Sequence, residues 1–286
     1  MQKVIETHFH ILNDDEFHLI WLEGIPQLSN MSLEEDYEAA WRGQERYEVI
    51  GSLHVETDTQ QQDKDKEAEF FINMAKNPDS FVKGICIFCD MLEGDAKSYL
   101  QRFVNEPAVK SVRYVLHNPW QLPGTCLQPK FIENVKALGE MNVMFEGCLR
   151  AQELDDFYQL VKQCPDTKFV LEHMGLVDIS AWNDPAKKDY VEKYKKDMAD
   201  IAALPNVVVK VSGLSSADVD VISDAVDYCL DIFGEDRVMY ASNFPVCKCN
   251  MSLNDWTFAM LDITQKRGRE FQDKFFCQNA LRIYSL

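Results

Sequence analysis

Residues 3–10 read KVIETHFH, an apolar run that ends in two histidines separated by one residue. Successive side chains of a strand point to opposite sides, so His8 and His10 would share one side of this strand. A histidine also ends three further short apolar runs, at residues 47–54, 109–117 and 168–173. If these runs are parallel strands of one barrel, they end at the same face, where catalytic groups gather. The pattern predicts a metal site or an acid–base site at that face, the alternative being hydrogen-bonded core histidines.

Strand-like runs alternate with helix-like segments along the whole chain, without an internal repeat. The predicted strands lie at residues 3–9, 48–54, 82–89, 110–116, 142–148, 168–172, 207–211 and 237–241. Several are apolar almost throughout, which is typical of a parallel sheet covered on both faces. The sequence therefore predicts an α/β fold, a single (β/α)8 TIM barrel that forms one domain over residues 1–286. An open, doubly wound sheet is the alternative, but residues 7–15 supply no glycine for the turn after its first strand.

Composition limits the partners that the chain can bind. The 286 residues match the usual size of one barrel, and a hydrophobic fraction of 46% supports a large core. A net charge of −18 argues against binding nucleic acid or an anionic membrane. The expected partner is a small-molecule substrate, and the sequence indicates no particular oligomeric state.

Cysteine usage indicates the compartment. The chain has nine cysteines, an odd number, and several lie inside apolar runs. No secretory signal precedes the first strand, and no apolar stretch reaches the roughly 18 residues of a membrane helix. We therefore expect reduced thiols in a cytoplasmic protein.

The histidines His8, His10 and His173 suit a divalent metal ion. Zinc binds neutral imidazole nitrogens at about 2.0–2.1 Å, and a catalytic site keeps one position open for water. Such an ion, zinc or manganese, would lower the pKa of water towards neutrality. The resulting nucleophile would attack an ester or lactone carbonyl, whose oxygen needs a positive partner as it gains charge.

Motifs along the whole chain resemble those of the amidohydrolase superfamily, and most closely its amidohydrolase-2 group of sugar-lactone hydrolases. Three carry most of the likeness: the histidine pair at residues 8–10, VLEHMG at 170–175 and GEDRVMYASNFPV at 234–246. VKSVRYVLHNP at 109–119, VSGL at 211–214 and CQNALRIYSL at 277–286 add to it. The resemblance implies a barrel hydrolase that opens a small sugar lactone or related cyclic ester. It also implies His8, His10, His173 and Asn243 as the catalytic positions, with the three histidines binding the metal.

Two positions depart from the family pattern. The first motif opens with Glu6 where aspartate is usual, and strand eight ends in Asn243 where the family has an aspartate that binds metal and accepts a proton. An amide cannot act as a general base, and it is a weaker, neutral ligand. One interpretation is an enzyme whose base lies elsewhere, with Glu56 and Glu172 as candidates. Others are a lactonase without bound metal, a decarboxylase of a small carboxylic acid, and a barrel that binds a ligand without turnover.

Further side chains at the strand ends are candidate substrate ligands. The set comprises Arg113, His117, Trp120, Arg150, His54 and Glu56. A guanidinium among apolar residues, as at position 113, must either be paired or face a polar cavity. His117 and Trp120 could hold a sugar ring, although Trp120 could equally be a packing residue. Arg150 could instead pair with Glu153 on the adjacent helix.

Overall fold

The computed structural model describes residues 1–28 and 34–286, and these contain one sheet of eight parallel strands. The strands are β1 (Gln2–Phe9), β2 (Tyr47–Val55), β3 (Val82–Phe88), β4 (Val109–Val115), β5 (Met144–Cys148), β6 (Phe169–Leu171), β7 (Val207–Val211) and β8 (Val238–Tyr240). Each strand pairs with its neighbour along the chain, from β1 to β8. Each predicted strand is present, and the prediction of a single TIM barrel is confirmed.

The barrel closes where the chain just beyond β8 meets the end of β1. The backbone N–H of Asn243 donates to the carbonyl of His8 at 2.9 Å, and that of His10 donates to the carbonyl of Phe244 at 2.7 Å. Strands β6 and β8 span three residues each, fewer than predicted. Left-handed backbone follows both, with φ 54° at His173 and φ 58° at Asn243, so the chain turns at each of these candidate site residues.

Helices follow the strands in the order that the alternation predicts. They are α1 (Glu34–Trp41), α2 (Lys64–Ala75), α3 (Ala96–Leu100), α4 (Pro129–Glu140), α5 (Leu154–Gln163), α6 (Lys188–Ala202), α7 (Val219–Phe233), α8 (Leu253–Gln265), α9 (Arg269–Asp273) and α10 (Asn279–Tyr284). Asp218 caps α7 by accepting from two backbone N–H groups, and Gly234 ends it at φ 71°. Within the described ranges, no helix is both long enough and apolar enough to cross a membrane.

Two groups of buried side chains hold the layers together. The larger joins the outward side of the strands to the surrounding helices. The smaller fills the barrel and includes Ile5, Leu53, Val55, Cys86, Met144, Val170, Met239 and Tyr284. The alternation of strand side chains separates the two groups. Because Tyr284 belongs to α10, this last helix covers the end of the barrel opposite the strand C-termini.

A buried ion pair lies inside the barrel among these apolar groups. The Lys210 ammonium contacts the Glu146 carboxylate, and neither side chain is exposed. Tyr284 donates to Glu146 Oε1 at 2.9 Å, and Ser111 donates to the same oxygen. Lys210, on β7, therefore serves the fold by neutralising the buried Glu146 carboxylate.

Replacing Lys210 with methionine should destabilise the fold strongly, because it leaves the Glu146 carboxylate buried without its cation. Removal of one partner of a buried pair costs roughly 3–5 kcal/mol, measured here as the free energy of unfolding in urea. The matched control is Lys196→Met, which removes an exposed partner of Asp200 and should change stability little. Equal losses in the two variants would contradict this account of the barrel interior.

Candidate functional site

Three predicted histidines meet at the C-terminal end of the barrel. His8 and His10 come from the end of β1, and His173 follows β6. The ring centroids of His8 and His10 are 4.9 Å apart, and those of His8 and His173 are 4.4 Å apart. All three side chains are buried. The structure thus brings together the side chains that the sequence pattern predicts to converge.

Burial keeps these imidazoles neutral. Desolvation lowers the pKa of His10 to about 4 and that of His173 to about 3, and it lowers the pKa of His8 well below its ordinary value. The Nδ1 of His10 lies 2.8 Å from the carbonyl oxygen of Val55, which can only accept. The ring therefore donates from Nδ1, and its Nε2 carries a free lone pair. Ser212 Oγ, 2.8 Å from His173 Nδ1, orients the third ring.

Neutral His8 cannot satisfy both of its neighbours. Its Nε2 lies 3.2 Å from the unprotonated Nε2 of His10, and its Nδ1 lies 3.3 Å from Glu172 Oε1. A proton on Nδ1 leaves two nitrogen lone pairs facing each other. A proton on Nε2 instead leaves the Nδ1 lone pair facing a carboxylate, and within the described residues neither His8 Nδ1 nor Glu172 Oε1 has a hydrogen bond. A cation among these atoms would remove the conflict, so the donor set fits a metal ion.

Glu172 joins the cluster as a candidate ligand. One ligand atom each from His8, Glu172 and His173 lies within 4.8 Å of the others. His10 is outside that set, although its Nε2 is next to His8. Sequence alternation would send Glu172 and His173 to opposite sides, and the sequence suggests Glu172 only as a base. The left-handed turn at His173 and Met174 instead places both side chains in the cluster.

Ion pairs hold the Glu172 carboxylate in place. Arg113 donates to Glu172 Oε2 at 3.2 Å and to Glu56 Oε1 at 2.7 Å, and Lys64 donates to Glu56 Oε2 at 3.0 Å. Burial opposes ionisation of both carboxyls, but the cations outweigh it. The pKa of Glu56 falls to about 2, and that of Glu172 falls well below its ordinary value. Both oxygens of Glu56 are thus occupied, whereas Glu172 Oε1 faces His8 and has no hydrogen bond within the described residues.

The two positions that depart from the family pattern lie at the barrel closure. Glu6 Oε1 accepts from the backbone N–H groups of His8 at 3.0 Å and Ser242 at 2.9 Å, and its Oε2 accepts from Tyr37. Glu6 therefore ties β1 to the end of β8. The backbone of Asn243 contacts His8, but its partly exposed side chain forms no hydrogen bond to the three histidines in the described part of the chain.

The prediction that His54 lies in the barrel mouth is wrong. Its ring stacks on Phe71 of α2 with centroids 3.5 Å apart, so it faces the helix layer outside the barrel. Leu53 and Val55, on either side of His54, fill the barrel, so the outward direction of His54 follows from the alternation of strand side chains. Glu56, beyond the end of β2, bonds to Arg113 and Lys64.

The remaining candidates lie at the rim of the mouth. His117 is exposed, with Nδ1 3.3 Å from Cys148 Sγ, and Trp120 is 71% exposed. Arg150 donates to the carbonyls of Asn118 and Gln121 and to Glu153, so it holds the loop after β4. This is the alternative expected for Arg150, and the substrate contacts of the other two remain predictions.

A parallel barrel with histidines and a carboxylate gathered at its C-terminal end is the arrangement of a barrel enzyme. The model of the amidohydrolase family matches residues 5–286. The chain belongs to this family, and the resemblance noted from the motifs is confirmed.

The individual relatives described next share only about a fifth of their residues with this chain. An L-fucono-1,5-lactonase of Burkholderia ambifaria is 22% identical over 223 residues, which cover 75% of this chain and 69% of the relative. An L-rhamnono-gamma-lactonase of Scheffersomyces stipitis is 20% identical over 336 residues, with 99% of each protein covered. The structure of an amidohydrolase from Burkholderia multivorans with bound zinc matches with a TM-score of 0.84 at 20% identity, covering 99% of each chain. At that identity the structural likeness concerns the fold alone.

A glycine after β7 sets the position of His173. A Cβ atom at Gly213 would lie 2.6 Å from both Cβ and Cγ of His173. Gly213→Ala should therefore displace the imidazole and weaken metal affinity by about 10–100-fold, the usual effect of disturbing a ligand's support. Calorimetric titration of the metal-free protein with zinc measures this affinity.

Gly234→Ala is the matched control. Gly234 has φ 71°, close to the 72° of Gly213, but a Cβ there meets nothing within 4 Å. Both variants carry the same backbone strain, so only Gly213→Ala should lose affinity. Equal affinity in the two variants would show that this contact does not position the ring.

Proposed function

We propose that the protein hydrolyses a small sugar lactone or a related cyclic ester at the C-terminal mouth of the barrel, with assistance from a divalent metal ion. The observation that carries the proposal is the buried cluster of His8, His10, Glu172 and His173, whose facing lone pairs call for a cation. Membership of the amidohydrolase family and two relatives named as lactonases support it.

The reaction is the addition of water to an acyl carbon. A bond forms between the water oxygen and the lactone carbonyl carbon, the bond from that carbon to the ring oxygen breaks, and a proton reaches the ring oxygen. The product is an open-chain hydroxy acid, which releases a proton at neutral pH. When bound, a divalent ion would polarise the carbonyl and acidify water.

The chain's own residues would hold and orient that ion. His10 presents Nε2 because Val55 fixes its Nδ1, and Ser212 orients His173. Such supporting contacts fix the direction of a ligand's lone pair. Arg113 and Glu56 hold Glu172 so that Oε1 faces His8.

Glu172 is the proposed proton acceptor in place of the aspartate that Asn243 replaces. The Glu172 carboxylate is ionised and its Oε1 accepts no hydrogen bond from the described residues, whereas both oxygens of Glu56 bind cations. A carboxylate of such low pKa is a weak base. A lactone is activated relative to an amide, so a weak base suffices for its opening.

Wild-type protein should acidify a solution of at least one aldonolactone in a pH-indicator screen. Glu172→Gln should lower kcat/KM by about 100-fold or more, because the proton acceptor is lost. The control Glu140→Gln makes the same change at an exposed carboxylate and should leave kcat/KM unchanged.

Asn243→Asp should not be needed for turnover. A silent wild type with activity only in Asn243→Asp would indicate a decayed enzyme and overturn the proposal.

A further inference from the structure

A cleft of about 660 Å³ opens at the C-terminal ends of β2, β3 and β4, beside the histidine cluster. Its lining residues come from four segments: residues 18–21 after β1, residues 58–64 up to the start of α2, residues 88–90 at the end of β3 and residues 114–121 around the end of β4. None of the clustered histidines is among the residues that line it. The cleft is therefore separate space next to the reacting centre.

A continuous chain of ion pairs joins this cleft to the histidine cluster. Lys64 lines the cleft and donates to Glu56, Glu56 accepts from Arg113, Arg113 donates to Glu172, and Glu172 faces His8. Each of these four contacts spans 3.3 Å or less. A molecule that fills the cleft thus lies beside the same buried network that positions Glu172.

Aromatic rings form much of the cleft wall. Trp21, Phe88, Tyr114 and Trp120 line it. The indole N–H of Trp21 donates to the carbonyl of Thr57 at 2.7 Å, which fixes that ring. Trp120 is 71% exposed, a costly position for a residue that only packs. Flat apolar faces of this kind suit the C–H faces of a sugar ring.

Polar groups between these rings favour a neutral, hydroxylated ligand. The carboxylates of Asp58 and Asp90 and the amides of Asn118 and Gln121 line the cleft, and Lys64 is the one Lys or Arg among its described lining residues. Lys64 is already paired with Glu56 and Asp58, so it does not favour an anionic ring. Asp58 also accepts from Asn118, whereas the Asp90 carboxylate can accept from hydroxyl groups of a ligand. A small carboxylic acid would therefore be disfavoured here.

We infer that this cleft binds a second, neutral sugar ring of the substrate, so that the preferred substrate is a lactone bearing a glycosyl substituent. The inference rests on the proposed lactone hydrolysis for its reaction, but the cleft's ligand follows from its own walls. Its volume lies well within the roughly 300–1,000 Å³ of pockets that hold drug-sized ligands. The reacting lactone lies at the histidines, and the second ring lies against Trp120.

The test compares glucono-1,5-lactone with cellobiono-1,5-lactone, which adds one glucosyl ring. Wild-type kcat/KM should be at least about tenfold higher for the two-ring lactone. Trp120→Ala should remove about fivefold of that preference through KM, and Trp120→Phe should restore most of it, since an aromatic contact is regained. Leu122→Ala is the control, because Leu122 is 74% exposed on the same loop but does not line the cleft.

A binding measurement separates this inference from the proposed reaction. Calorimetry with cellobiitol and sorbitol, which contain no lactone, should detect only cellobiitol, and Trp120→Ala should weaken its binding about fivefold. If no lactone is hydrolysed but cellobiitol binds in this way, the cleft assignment stands and the proposed reaction fails. Equal kcat/KM for the two lactones, or absence of cellobiitol binding, would overturn the inference.

Discussion

Closure of the barrel between β1 and the residues after β8 is the constraint on which the site depends. Backbone hydrogen bonds join His8 to Asn243 and His10 to Phe244, and the buried Glu6 carboxylate bonds to both sides of the seam. Because the seam fixes the backbone of both β1 histidines, their side chains must point into the mouth. The Glu6 carboxylate therefore serves the fold, since backbone N–H groups and Tyr37 donate to its oxygens.

Electrostatics then decides what the buried histidines can do. Neutral imidazoles and ionised carboxylates lie together without enough protons for every contact, and such groups are costly to bury unless paired. The chain of ion pairs from Lys64 to Glu172 keeps the carboxylate charged although burial opposes it. This arrangement supports the proposed metal site, and the aromatic walls of the neighbouring cleft support the inferred second sugar ring.

Sequence periodicity predicts the fold and part of the site. The eight apolar runs and the pair His8 and His10 follow from regular strand alternation, and the structure bears them out. Alternation does not reveal which side of β2 faces the barrel, and His54 points outward between the inward-facing Leu53 and Val55. The rule itself fails at Glu172, which the left-handed turn brings beside His173. Both positions lie near strand ends, where backbone dihedrals and long-range partners set side-chain direction, and a sequence pattern shows neither.

The central claim is that the cluster of His8, His10, Glu172 and His173 binds a divalent ion. Elemental analysis combined with anomalous diffraction at the zinc and manganese edges tests it most directly. The account predicts near one metal ion per chain, with a single anomalous peak about 2.0–2.2 Å from the histidine nitrogens, and loss of both in His8→Ala. Protein that stays metal-free after incubation with zinc and manganese, with the rings in place, would contradict it.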